Sequence, residues 1–149
     1  MPVEIVRRGA GKQFPGRKLK TIAAKILDVV KETHAELSVA LVGNAEIQRL
    51  NAQYRKKDCP TDVLSFPVEN RLFVGERLLG DVIISVQKAR QQAKERQRSL
   101  DKEMVILLIH GVVHLLGYDH ERSAKEARIM QHLEKKVYRA LCDQQVIRV

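Results

Sequence analysis

The chain has 149 residues, 44% hydrophobic and 30% charged, which is ordinary for a globular protein and enough for one domain spanning 1–149. No stretch approaches the roughly 20 apolar residues that cross a bilayer, and the start, MPVEIVRRGAGK, has no apolar signal core, so a membrane role and export are not expected. Cys59 and Cys142 are too few for a disulfide framework and fit thiols in a reducing cytoplasm.

Lys and Arg number 27 against 18 Asp and Glu, a net charge of +9. The excess gathers in residues 1–31, at Arg55, Lys56 and Lys57, and from Lys88 to Arg98. Such a field favours polyanions, nucleic acid first among them, although a solvated basic face fits the same charge. With three Tyr, three Phe and no Trp, base stacking has little to offer, and phosphate contacts must carry most of the affinity.

In chain order, VEIVRR (3–8) is short and β-branched, a first strand broken by GAGKQFPG (9–16). From Arg17 to Thr33 apolar residues recur at helical spacing with lysines between them, which predicts an amphipathic helix. ELSVALVG (36–43) predicts a strand, and NAEIQRLNAQYR (44–55) a helix capped by Asn44. DVLSFPV (62–68) predicts a strand that Pro67 limits, and 69–80 reads as turn and hairpin material. GDVIIS (80–85) predicts another strand, with Ser85 capping a helix to about Gln97. A largely apolar helix starts near Ser99 and stops at Gly117. SAKE (123–126) is a capping-box pattern opening a last helix to about Leu141. Strands and helices mix without regular alternation, so the expected class is α+β, a small mixed sheet packed against several helices.

The apolar helix ends in HGVVHLLGYDH (110–120), which holds three of the five histidines. His110 and His114 are four apart and share one helix face. Gly117 lets the chain double back and return His120 toward them. Three imidazoles without a fourth protein ligand are the donor set of a catalytic zinc, like a zinc hydrolase's histidine helix, with one position open to water or substrate. The same nitrogens also suit nickel, copper or iron. Asp119 reads as a turn former or a carboxylate that orients a ligand. The spacing HxxxHxxGxxH is that of metzincin proteases, except that their general-base Glu is replaced by Gly111. The metal cradle is present without the protease base.

This stretch, together with Arg55, PTDVLSFP (60–67), LGDVIIS (79–85) and the pair Met130 and Glu134, closely resembles the YbeY family of bacterial endoribonucleases. Val113 and Gln131 depart from the usual leucine and phenylalanine. The resemblance implies a metal-dependent, single-strand-specific endoribonuclease that matures the 3′ end of small-subunit ribosomal RNA and takes part in ribosome quality control. Its partners would be single-stranded RNA, ribosomal RNA or the ribosome. By position, His110, His114 and His120 would bind one Zn2+ ion, and Arg55 and His114 would be the residues on which catalysis depends. Zinc-activated water would attack the phosphodiester while the Arg55 guanidinium met the charge developing on phosphorus. PTDVLSFP reads as scaffold, with Thr61 and Asp62 forming a turn. A zinc metalloprotease-like hydrolase and a non-catalytic ribosome-binding assembly factor with a structural zinc stay open as alternatives.

Overall fold

The structure is a computed structural model that describes residues 3–67, 77–118 and 122–144. Four strands, β1 (Val3–Arg7), β2 (Ala35–Val42), β3 (Val63–Pro67) and β4 (Arg77–Ser85), form one sheet in the order β1-β2-β4-β3. β1 and β4 run parallel to β2, with Ile5 opposite Val39 and Val39 opposite Val82. β3 runs antiparallel to β4, with Ser65 opposite Val82. β3 is therefore an edge strand, the place where Pro67 at its last position is tolerated.

Among the described residues five α-helices accompany the sheet: α1 (Gly16–Val29), α2 (Asn44–Arg55), α3 (Val86–Glu95), α4 (Leu100–Leu115) and α5 (Ala124–Asp143). Strand alternation sorts the side chains into two cores. Leu37, Val39, Leu41, Val82 and Ile84 join the larger core with α1, α4 and α5, while Val42, Leu64 and Ile83 pack with Ile47 of α2. The architecture is the expected α+β mixed sheet with helices against it. α4 is buried along most of its length, as its near-continuous apolar sequence requires.

Helix starts at serines follow the sequence. The hydroxyls of Ser85, Ser99 and Ser123 accept from the backbone N–H of Lys88, Lys102 and Glu126, each at 3.1 Å. Asn44 departs from expectation. It is the first helical residue rather than the cap; the side-chain oxygen of Gln87, carried by α3, accepts from its N–H at 2.7 Å. α1 and α3 also end earlier than the periodicity predicts, at Val29 and Glu95. Lys31 and Gln97 adopt positive φ of 62° and 55°, which no helix continues. Residues 9–13, predicted as a break, wind into a 3-10 turn. β4 begins at Arg77, ahead of the predicted position, and residues 69–76 of the expected hairpin lie outside the described residues. Among the described residues no helix is long and apolar enough to cross a membrane.

Candidate functional site

The site is built on the last two turns of α4. His110 and His114 share one face there, both partly exposed, while Gly111, Val112 and Val113 are buried. The exposed carbonyl end of a helix carries negative partial charge and favours a cation beside it. Leu116 still bonds back to Val112, and Gly117 turns the chain at φ 106°, its N–H donating to the His114 carbonyl at 3.0 Å. That is the helix stop expected of a glycine placed just beyond the last turn.

Gly111 owes its identity to the sheet. A Cβ there would lie 2.7 Å from Val82 Cγ1 and 3.3 Å from Ser65 Oγ, so only glycine lets α4 come this close. The Ser65 hydroxyl donates to the Gly111 carbonyl at 3.2 Å, tying the histidine helix to the edge strand. A glutamate at this position would drive into β4. The missing protease base is thus a consequence of helix–sheet packing.

His110 Nδ1 faces Glu134 Oε2 of α5 at 3.2 Å. An ionised carboxylate only accepts, so Nδ1 carries the proton, and Nε2 is the nitrogen that could coordinate a metal. This carboxylate–histidine arrangement is the one that orients ligating histidines and raises their basicity. The His110 pKa is raised: the Glu134 hydrogen bond contributes most, burial opposes it, and the charges of Glu134 and Asp62 add to it. Donor type, orientation and position at a helix C-terminus therefore suit a divalent transition metal. Among the described residues no three His, Cys, Asp or Glu side chains gather as a metal-holding group. The third predicted ligand, His120, and its neighbour Asp119 lie outside the described residues.

Arg55 reaches the same edge strand from α2. It ends α2, and Lys56 follows in the left-handed region at φ 60°, turning the chain into the loop toward β3. Buried Asn51 holds that loop by donating to the Cys59 carbonyl at 3.0 Å, and Gln48 donates to Asp58 at 3.0 Å. Arg55 Nη2 then reaches the carbonyl of Ser65 at 3.2 Å. Ser65 is the hinge of the site. Its carbonyl accepts from the guanidinium of Arg55 and its hydroxyl donates to the Gly111 carbonyl of α4, so Arg55 and Gly111, 56 positions apart in the chain, are tied through one residue.

Three contributors were not given their roles by sequence reasoning. Ser65 was read with the scaffold, yet it is a polar residue on the inward side of a strand between Leu64 and Phe66, which is the available signal. Asp62, read as a turn former, does accept from the Val63 N–H at 2.8 Å, and its charge also acts on His110. Glu134 was noted only as part of a pattern. It lies one helical turn beyond buried Met130, which anchors α5 and so aims the carboxylate at α4. A cleft of about 780 Å³ opens on the other side of Glu134, lined by Lys102, Ile109, Lys135 and Tyr138, but neither His110 nor His114 lines it.

A family model described as Endoribonuclease YbeY matches residues 6–142. The chain belongs to the YbeY endoribonuclease family. It is 44% identical over 127 residues to the Endoribonuclease YbeY of Sulfurihydrogenibium sp. (strain YO3AOP1), covering 85% of this chain and 84% of that one. With the Endoribonuclease YbeY of Aquifex aeolicus (strain VF5) it shares 46% identity over 120 residues, covering 80% and 79%. The solution structure of TM1509 from Thermotoga maritima superposes with a TM-score of 0.67 at 30% identity, over 96% of this chain and 91% of that one. The mixed sheet and its helices are thus a shared architecture, and the family activity makes RNA the substrate class.

Proposed function

We propose that this chain is a zinc-dependent endoribonuclease that cleaves single-stranded RNA during maturation of the 3′ end of small-subunit ribosomal RNA, and that it acts in the cytoplasm and in ribosome quality control. The observation that carries the reading is the 3.2 Å contact of His110 Nδ1 with Glu134, one helical turn before His114 at the open end of α4. A carboxylate that fixes the Nδ1 tautomer aims Nε2 outward, which suits coordination better than core packing. His110, His114 and His120 would hold the ion. When bound, zinc would supply Lewis-acid chemistry, lowering the pKa of a water toward about 7 and polarising a phosphoryl oxygen.

The chain's own residues then have distinct tasks. Glu134 keeps the His110 proton on Nδ1. Arg55, held against the sheet edge by the Ser65 carbonyl, presents its fork to the phosphoryl group as negative charge builds. The basic surface holds the RNA backbone, so binding weakens steeply with salt. Gly111 cannot serve as a proton acceptor, which separates this site from a protease. The link to ribosomal RNA rests on family resemblance.

The test measures bound metal and cleavage of a short unstructured RNA together. The parent should bind about one zinc per chain and cleave. His114→Ala should lose both, and Arg55→Ala should keep the metal and cleave at least about tenfold more slowly. A parent that retains zinc yet cuts no RNA with any divalent metal would reduce the site to a structural clamp. Cleavage of casein by the parent would restore the protease.

A further inference from the structure

Tyr54 is a large aromatic residue left 59% exposed, and the reading above gives it no task. It occupies the last turn of α2, immediately before Arg55. Its ring meets Phe66 of β3 edge-on, with centroids 5.3 Å apart and planes at 61°. Phe66 follows Ser65, the residue whose carbonyl takes the Arg55 guanidinium. Two ties thus run side by side from the end of α2 to the edge strand, one aromatic and one a hydrogen bond. They hold the tyrosine ring and the guanidinium in a fixed relation. Exposed Lys56 and Lys57 continue the positive charge, and Asp58, the next residue in the chain, accepts from Gln48.

We propose that Tyr54 is a stacking platform for one nucleobase of the RNA strand, next to the phosphate that Arg55 engages. The inference rests on the RNA-cleaving reading of the site and deepens it. An aromatic ring that leaves most of its area in water forgoes burial energy. Stacking by a base recovers that energy and leaves the phosphate beside the ring to the cations. Every base has a π-face, so such a platform tolerates sequence. It also selects single strands, because duplex bases are already stacked on one another. The scarcity of aromatic residues in the chain is no obstacle, since one ring beside the reacting phosphate is enough to choose a register.

The experiment uses the full chain carrying His114→Ala to block cleavage, and a short unstructured RNA with 2-aminopurine placed at each position in turn. One position should be quenched on binding. Tyr54→Phe should keep that quenching and bind within about twofold of its parent, whereas Tyr54→Leu should lose the quenching and bind about tenfold more weakly. Leucine keeps an apolar contact with Phe66, so a folding defect is separated from the loss of the ring. In the otherwise native chain, Tyr54→Leu should retain its zinc. Equal RNA affinity of Tyr54→Leu and its parent, or no quenched position, overturns the platform while leaving the nuclease reading intact. A parent that cleaves no RNA overturns the nuclease reading itself.

Discussion

The two ends of α4 treat charged groups in opposite ways. At the start, Glu103 is fully buried, and both of its oxygens are taken: Arg96 Nη1 donates to them at 3.1 and 3.2 Å, and Arg98 Nη2 forms an ion pair with Oε1 at 2.9 Å. All three residues come from one short segment, so the cluster assembles locally and is closed. At the other end, His110 and His114 are half-exposed, and the carboxylate facing His110 comes from α5, 24 residues away. Glu134 orients an imidazole without enclosing it. A buried charge ringed by its own neighbours holds the fold; an oriented donor at an exposed helix end is placed for something from outside. The helix dipole agrees at both ends, with carboxylates in the first turn and a cation-favouring carbonyl end beside the histidines.

The sharpest way to break this contrast is to mutate each end in turn. His114→Ala should reduce cleavage and zinc binding below detection while moving the melting temperature of the metal-free protein by no more than about 3 °C. Glu103→Gln should do the reverse. Removing one partner of a buried ion cluster costs about 3–5 kcal/mol, but Arg96 is 49% exposed and can return to water, so about 2–3 kcal/mol is expected here. The melting temperature then falls by roughly 5–10 °C, while zinc content and the rate per folded molecule stay near those of the parent. Loss of zinc in Glu103→Gln would show that the closed end also sets the geometry of the open one.

Glu134→Gln tests the open end more gently. Changing a carboxylate that orients a ligating histidine typically weakens metal affinity by about 10–100-fold. Metal and proton compete for the imidazole, and Glu134 raises the His110 pKa by hydrogen bond and by charge. The parent's zinc affinity therefore falls as pH drops through that raised pKa, and in Glu134→Gln the fall begins at lower pH. Metal-free stability has the opposite sense. A raised folded pKa stabilises the protein below the unfolded value of about 6.5 and loses that stabilisation as pH rises through the folded one. The melting-temperature gap between parent and variant should narrow from acid to neutral pH. Zinc titrations and thermal melts at several pH values measure both effects.

Much of this was legible in the chain because its signals are local. The serine caps at 85, 99 and 123 each need only the N–H three residues on, and Gly117 needs only its own φ. Asn44 was misread because its N–H is met by Gln87 across 43 residues. Separation in sequence also hid the roles of Ser65 and Glu134, whose partners on α4 lie 46 and 24 residues away. Nothing near Ser65 announces that its hydroxyl meets Gly111 and its carbonyl meets Arg55; those partners exist only after β3 pairs with β4 and α4 packs on both. The motif HGVVHLLGYDH supplies the candidate donors, and tertiary packing supplies the carboxylate that orients His110.

The smallest effect expected is Gly111→Ala, and its sign decides what the glycine does. Alanine gains about 1 kcal/mol of helix propensity over glycine. Against this, the new Cβ would stand 2.7 and 3.1 Å from the two methyls of Val82 and 3.3 Å from Ser65 Oγ. Val82 is fully buried, stiff at its branched Cβ, and held between β2 and β3, so it cannot step aside. Overpacking of this kind costs about 1–3 kcal/mol, leaving a net loss near 1 kcal/mol and a melting temperature about 2–4 °C lower. Cleavage should fall further than stability, because the shift strains the Ser65–Gly111 bond that joins the histidines to Arg55. Adding Val82→Ala makes room for the Cβ at the expense of a cavity, so the double variant should recover cleavage while melting lower still. A Gly111→Ala protein that cleaves at the parent's rate would mean that the close approach of α4 to the sheet does not place the histidines.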